Sequence, residues 1–209
     1  MTNQSEITIR RRRPKARPTE ILAAALDLFT ERGFNATRLE DVATRAGLSK
    51  AAIYLYFNDK ASLLTALVQA TVGANITIAG DMIGRHQGPV APLVRELLSF
   101  MAGRMQETRM PDLIKLVISE SRAYPEIGRF YLDNVIGRAL PLFQSLIERG
   151  MASGEFRKVD PRLTVKCLVG PMLLGAIWKS AFEPIGAEPL DLAALAVHDA
   201  DLIIRALQP

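Results

Sequence analysis

Residues 37–57 decide the fold, and they read TRLEDVATRAGLSKAAIYLYF. Their apolar positions recur at the spacing of one helix face, not at every second residue as in a strand. Gly47 interrupts this pattern because glycine adopts backbone conformations that other residues resist, and Ser49 follows as a good helix N-cap. The stretch therefore predicts two short helices joined by a tight turn. The inward positions are Leu39, Val42, Ala43, Ala46, Ile53 and Phe57.

The start of the first short helix carries a further signal. Thr37 and Glu40 have the spacing of a capping box, so we expect Thr37 to cap this helix. In the second short helix Ile53 and Phe57 face inward, so the remaining positions point to solvent. Two short helices joined by such a turn, with the second one exposed, are typical of helix-turn-helix DNA-binding domains when a longer helix precedes them.

The chain before this stretch divides into a basic arm and one longer helix. From Pro18 the apolar residues follow helical spacing, whereas residues 1–17 are rich in like charges that repel one another. We therefore expect a flexible basic arm at 1–17 and a helix-turn-helix DNA-binding domain at 18–60. The arm contains four consecutive arginines, Arg10, Arg11, Arg12 and Arg13.

The remaining residues, 61–209, form one larger predicted domain. Glycine and proline interrupt a series of helical patterns, and no stretch alternates convincingly with period two. The predicted fold class is therefore all-α. Helices are expected from about Lys60 to Ile83 and near 89–107, 111–122, 125–152, 160–182 and 189–207.

The positive charge is concentrated near the N-terminus. Residues 1–60 hold 11 Lys or Arg against 7 Asp or Glu, whereas 61–209 hold 15 of each. The whole net charge of +4 therefore lies in the first domain, where we expect a polyanionic partner to bind.

Other function classes lack their sequence signals. There is no phosphate-binding glycine loop, dinucleotide fingerprint, metalloprotease motif or hydrolase motif, so we expect no enzyme and no cofactor. His86 and His198 have no partners at ligand spacing, so no metal site is predicted. Cys167, the single cysteine, is expected to be a small buried apolar residue. The longest nearly apolar run, 167–178, is too short to cross a bilayer, which predicts a cytoplasmic protein without a membrane partner.

One set of residues agrees in type and spacing with a known family. Its members are Gly33, Phe34, Thr37, Asp41, Val42, Ala43, Ala46, Gly47, Leu48, Ser49, Lys50, Ile53, Tyr54, Tyr56, Phe57 and Lys60. Over about residues 20–65 they resemble the signature of the tetracycline-repressor (TetR) family. The later part of the chain resembles, more loosely, the C-terminal domain of AcrR-type members.

This resemblance implies nine or ten helices and a third helix that enters the major groove of palindromic, double-stranded operator DNA. In the family's motif the positions of Thr37, Tyr56 and Lys60 contact phosphates, and that of Tyr54 contacts bases or backbone. Lys50 can reach either a guanine edge or a phosphate. The predicted DNA contacts are Thr37, Ser49, Lys50, Ala51, Ala52, Tyr54, Leu55, Tyr56 and Lys60, together with Arg10, Arg11, Arg12 and Arg13.

The resemblance also implies a small-molecule pocket and a homodimer formed through the last two long helices. Flexible and aromatic side chains suit a largely apolar ligand, although any one of them can equally be ordinary core. The pocket candidates are Met82, Phe100, Met101, Met105, Met110, Ile114, Tyr131, Phe143 and Trp178. The dimer candidates are Leu163, Gly170, Leu174, Gly175, Trp178, Leu192, Leu195, Ala196, Leu202 and Ile203.

The predicted function is a DNA-binding transcriptional regulator, a repressor that a small apolar inducer releases from its operator. A ligand packed against the fourth helix near Val72 to Met82 would tilt that helix and change the spacing of the two recognition helices. The alternative is a DNA-organising or cell-division protein on the same fold without small-molecule control.

Overall fold

A computed structural model describes residues 17–209, with side chains from residue 18 onward. The predicted arm, with Arg10, Arg11, Arg12 and Arg13, lies outside these described residues. Between residues 17 and 209 the chain forms nine helices and no strand, which confirms the predicted all-α class. It divides into two compact units, Met1–Lys60 and Ala61–Pro209.

The helices follow the predicted order closely. The first three are α1 (Arg17–Arg32), α2 (Leu39–Arg45) and α3 (Lys50–Ile53). They are followed by α4 (Lys60–Arg85), α5 (Val90–Glu107), α6 (Met110–Glu120), α7 (125–152), α8 (Pro161–Ile185) and α9 (Leu192–Leu207). Three of the long helices contain a widened π-helical turn, at Gln69–Gly73, Leu132–Ile136 and Trp178–Phe182. Such turns are frequent at functional sites.

The first unit packs its helices around an aromatic pair. Phe29 of α1 and Phe34 of the following loop are both buried, and their ring centroids lie 5.0 Å apart. Arg45 of α2 donates two hydrogen bonds to Glu31 of α1, at 2.8 and 3.1 Å. Gly47 then takes φ +67°, a left-handed conformation that favours glycine, and this allows the sharp turn between α2 and α3.

The second unit packs α9 against α5 and α8. A Cβ at Gly175 of α8 would lie 2.5 Å from Leu192 Cδ2, so glycine permits the close approach of α9. The N-terminus of α5 is capped from far along the chain, because the Glu155 carboxylate accepts hydrogen bonds from the N–H groups of Val90 and Ala91 at 2.5 and 2.7 Å. Such a carboxylate stabilises a helix N-terminus.

Two helices, α4 and α8, are long and apolar enough to cross a membrane by length and composition alone. Both pack against other helices of the second unit and supply buried side chains to its core, as the core helices of soluble proteins do. Cys167 of α8, which the sequence suggested would be buried, is exposed.

Candidate DNA-binding surface and ligand cavity

The turn between α2 and α3 fixes the direction of α3. Leu48 N–H donates to the Ala43 carbonyl at 2.8 Å, and Ser49 Oγ accepts from Ala52 N–H at 3.2 Å. Ile53, at the other end of this short helix, is completely buried and anchors it to the unit. The opposite face of α3 is therefore held rigidly toward solvent.

The outward face of α3 and the turn that follows it carry most of the predicted DNA contacts of the helix-turn-helix. Leu55 is the most exposed of its large apolar side chains at 84%, and Tyr54 and Tyr56 are each 44% exposed. A contiguous group of exposed apolar and aromatic side chains beside a cation marks an interaction surface and suits contact with DNA grooves and sugars. The exposed members are Ser49, Lys50, Ala51, Tyr54, Leu55 and Tyr56, while Ala52 is half-buried.

Glu40 of α2 holds two of these side chains. Its Oε1 accepts a hydrogen bond from Tyr54 Oη at 3.1 Å and lies 3.0 Å from Lys50 Nζ. Hydrogen bonds from the backbone N–H of Glu40, then from Lys50 and Tyr54, lower the pKa of this carboxyl to about 2. The hydrogen bond to Glu40 in turn raises the pKa of both Lys50 and Tyr54. A DNA phosphate must therefore compete with a carboxylate that stays charged.

The sequence pattern does not predict the contact of Glu40 with α3, because the spacing of Thr37 and Glu40 indicates a capping box instead. Helix α2 instead starts after Arg38, whose backbone N–H donates to Asp41 Oδ2 at 3.0 Å. The predicted Thr37 cap is wrong. The opposite charges of Glu40 and Lys50 on either side of the turn were the available signal.

Two predicted phosphate contacts have other roles in this structure. The Thr37 side chain is completely buried, and its hydroxyl donates to the carbonyls of Gly33 at 2.9 Å and Leu28 at 3.2 Å, so it is not placed to reach a phosphate. Lys60 Nζ donates to the carbonyls of Phe34 and Asn35 at 2.7 and 3.1 Å and lies 4.8 Å from the centre of the Phe34 ring. Both residues fasten the loop that follows α1.

The second unit contains a cavity of about 560 Å³. Its wall is formed by α4, α5, α6, α7 and α8, and it includes residues of the π turns in α4 and α7, which contact each other. The volume lies within the range of small-molecule sites, roughly 300–1,000 Å³. The lining is mostly aliphatic and aromatic, with Asn75, Arg104, Ser121 and Tyr131 as its polar side chains.

The polar side chains of this cavity include one hydrogen-bonded pair and one buried tyrosine. Arg104 Nε donates to Asn75 Oδ1 at 3.2 Å, and its Nη1 donates to Glu107 Oε2 at 3.1 Å. Burial raises the pKa of Tyr131 to about 12, so its hydroxyl remains protonated and can donate a hydrogen bond to a ligand. The cavity thus offers a large apolar surface and a few donors.

The structure brings most of the predicted pocket residues together. The candidates that line this cavity are Phe100, Met101, Met105, Met110, Ile114, Tyr131 and Phe143. Met82 and Trp178 do not line it. Trp178 instead packs on Phe182, with ring centroids 5.6 Å apart, and its indole N–H donates to the Glu188 carbonyl at 2.8 Å.

The predicted dimer residues separate into two groups. Leu163 and Leu174 are each 59% exposed and Leu202 is 56% exposed, and Val197, which was not predicted, is also 56% exposed. Gly170, Leu195 and Ile203 are half-buried. The other four are engaged within one protomer. Gly175 of α8 and Leu192 of α9 pack against each other, Ala196 is completely buried, and Trp178 donates to the segment between the two helices.

A helix-turn-helix with an exposed third helix, followed by a larger helical unit with an internal cavity, defines a DNA-binding transcriptional regulator. The chain belongs to the TetR family. The family model of bacterial regulatory proteins of the tetR family matches residues 21–67, and that of the tetracyclin repressor-like C-terminal domain matches residues 88–197.

Similar proteins support this assignment. The uncharacterized HTH-type transcriptional regulator YfiR of Bacillus subtilis is 26% identical over 86% of each chain. The HTH-type transcriptional repressor KstR2 of Rhodococcus jostii is 25% identical over 85% of each chain. The fold is shared with the transcriptional regulator FadR from Bacillus subtilis in complex with stearoyl-CoA, with a TM-score of 0.75, 19% identity and coverage of 91% of this chain and 99% of that one.

Proposed function

We propose that this TetR-family regulator is a homodimeric repressor in the cytoplasm that a largely apolar ligand releases from palindromic operator DNA. The observation that carries the proposal is the presence, in one chain, of an exposed recognition helix and a large apolar cavity. A protein that only organised DNA would have no use for such a cavity. The relative KstR2 is a repressor, which supports the sign of regulation.

DNA binding is proposed to use the outward face of α3. Lys50 and Tyr54 both bond to Glu40, and each can exchange this partner for a phosphate or a base edge. Ala51 and Leu55 offer apolar contacts to thymine methyl groups or sugars. The basic arm adds contacts that depend on charge and not on sequence.

The dimer is proposed to form through the exposed faces of α8 and α9. Leu163 and Leu174 lie on α8, and Val197 and Leu202 lie on α9, each more than half exposed in the protomer. Exposed leucines and valines on adjacent helices are typical of a surface that is covered in the assembly. Two such helices from each protomer would form a four-helix bundle about a two-fold axis, which matches the symmetry of a palindromic operator.

Ligand control is proposed to act through α4. This helix begins at Lys60, next to the recognition unit in the chain, and its later turns supply Val72, Asn75, Ile76 and Ala79 to the cavity wall. A dimer reads half-sites separated by about 34–36 Å or a multiple of this. A ligand that binds better to a different arrangement of α4 would change this separation and lower the affinity for DNA.

The experiment is to select operator fragments with the purified full-length chain and then measure binding by fluorescence anisotropy. Compounds that raise its melting temperature in a thermal-shift screen are added to the complex. We expect at least one of these compounds to lower the affinity for operator DNA by about 5- to 150-fold. Specific DNA binding that no cavity ligand changes would favour the DNA-organising alternative.

A further inference from the structure

A second cavity adjoins the first one. It has a volume of about 550 Å³ and lies between α7 and the first turns of α8. Leu132 and Ile136 line both cavities, so the π turn of α7 forms their common boundary. A ligand that extends out of the first cavity past these two side chains enters the second.

The two cavities differ in their chemistry. The first has a mostly apolar wall, and its one cation, Arg104, pairs with Glu107 at 3.1 Å. The second carries two cations, Arg162 and Lys166, together with Asp133 and Gln144. Within residues 18–209, neither cation has a carboxylate within 4.0 Å of its nitrogen atoms. Two cations against one carboxylate give the second cavity a positive balance that favours an anionic group.

One face of α8 runs past both cavities. Arg162 and Lys166, in its first turns, line the second cavity, and Val169 and Leu173, in the next turns, line the first. Residues at this spacing lie above one another on a helix. The wall therefore changes from cationic to apolar along a single continuous line.

The boundary between the cavities is itself apolar and accessible. Leu132 is 55% exposed and Ile136 is 38% exposed, so both apolar side chains can be reached by a ligand. An alkyl chain that passes from one cavity to the other would cover both side chains, which gives a favourable contribution from apolar burial.

We propose that the ligand is amphipathic, with a long apolar chain in the first cavity and an anionic head group held by Arg162 and Lys166 in the second. This rests on the proposed function and adds the chemical class of the inducer. The head group can be a carboxylate or a phosphate, because a guanidinium and an ammonium donate charge-assisted hydrogen bonds to either.

The test measures binding of three probes to the full-length protein by calorimetry: palmitate, palmitoyl-CoA and methyl palmitate. The first two carry an anionic head group, and the third has the same chain without charge. At least one anionic probe should bind about 10-fold more tightly than the methyl ester, since charge-assisted hydrogen bonds are the strong ones. Which of the two binds more tightly distinguishes a carboxylate head from a phosphate-bearing thioester.

A pair of matched variants locates the head group. In Arg162→Gln/Lys166→Gln the preference for the anionic probe should fall to about 1-fold, while the affinity for methyl palmitate stays unchanged. Arg138→Gln/Lys158→Gln removes the same charge from exposed positions that line neither cavity, and it should keep the preference. A preference that survives in the first variant, or that is lost equally in both, overturns the proposal.

The same probes separate this inference from the proposed function. If methyl palmitate binds as tightly as the anions and releases the operator, the head-group proposal is wrong and ligand control stands. If an anionic probe binds through Arg162 and Lys166 but leaves operator affinity unchanged, the amphipathic site stands and the proposed control of DNA binding is wrong. If none of the three probes binds, the proposed ligand class is wrong.

Discussion

In the described part of Met1–Lys60 the side chains proposed to bind DNA lie on the surface around α3, whereas in Ala61–Pro209 those proposed to hold the apolar part of the ligand line a cavity within a helical bundle. The first arrangement suits a large, charged partner, because Lys50 and Tyr54 are presented in a fixed geometry without a cleft. The second suits a small ligand with a long apolar part. A substitution in the DNA-binding surface should therefore leave ligand affinity unchanged when no DNA is present, and a substitution in the cavity should leave DNA affinity unchanged when no ligand is present.

The largest effect is expected from substitutions in the proposed dimer interface, which lie outside the DNA-binding surface and the ligand cavity. Leu174→Glu/Leu202→Glu places carboxylates on the exposed faces of α8 and α9, and we expect it to weaken dimerisation by about 2 kcal/mol or more. Operator affinity should fall with it, because one protomer reads only one half-site. Light scattering and anisotropy measure both. Ile78→Glu, at a similarly exposed position of α4, is the control and should remain dimeric. If the double variant also remains a dimer, the interface lies elsewhere.

The second prediction concerns the surface site alone. Tyr54→Ala and Lys50→Ala should each lower operator affinity by about 1–3 kcal/mol if a base contact is lost. Dimerisation and ligand affinity should stay at wild-type values, since both substitutions are at exposed positions of the first unit. Operator affinity that is unchanged in both variants would mean that α3 is not the recognition helix.

The first unit was the more predictable from sequence because its signals are local. Gly47, Ser49 and Ile53 act within a few residues of one another, and together they define the turn and the outward face of α3. The error at Thr37 has a tertiary cause. The Thr37 hydroxyl donates to carbonyls of α1 and of the following loop. The bond to Leu28 spans nine residues, and a capping pattern does not predict it.

The second unit was predictable as a set of helices and less so as a site. Helical spacing identifies α8 and α9, but it does not say whether Leu192 faces its own protomer or a partner; Gly175 shows that it faces α8 of the same chain. The capping of α5 by Glu155 joins residues that are 65 positions apart. Arg162 and Lys166 belong to no sequence motif, and only their position in the second cavity suggests that they bind an anionic head group.

A third prediction tests a buried charge in the second unit. Asp199 of α9 is 7% exposed, and its Oδ2 has no hydrogen-bond partner among the described residues. Burial raises the pKa of Asp199 from 3.8 to about 6, although the charge of His198 opposes this. Because the folded state holds this proton more tightly than the unfolded chain, the free energy of unfolding should fall as the pH rises from about 4 to about 6.

Asp199→Asn removes this titration. It should raise the free energy of unfolding at pH 7 by about 1–2 kcal/mol and flatten its decline between these pH values. Urea denaturation at a series of pH values measures both quantities. Asp201→Asn, which removes a carboxylate that pairs with Arg95 on the surface at 2.9 Å, should not have this stabilising effect. Equal behaviour of the two variants would argue against a buried, unpaired Asp199.

The smallest expected effect concerns the arm at the N-terminus. Deletion of residues 1–16 removes Arg10, Arg11, Arg12 and Arg13, and we expect it to lower operator affinity and flatten its dependence on salt. The slope of log affinity against log salt should fall by about 0.9 for each phosphate contact that is lost. Anisotropy at a series of salt concentrations measures the slope, and a truncated protein with the wild-type slope would make the arm a passive tail.

The most direct test of ligand control is its reciprocity. Palmitate, or another compound that thermal-shift screening shows to bind the cavity, is titrated into the protein with and without saturating operator. If the ligand lowers DNA affinity about 5- to 150-fold, operator DNA must weaken ligand binding by the same factor. Our account predicts these equal factors. A ligand affinity that is the same in both titrations would contradict it, because the two units would then bind their partners independently.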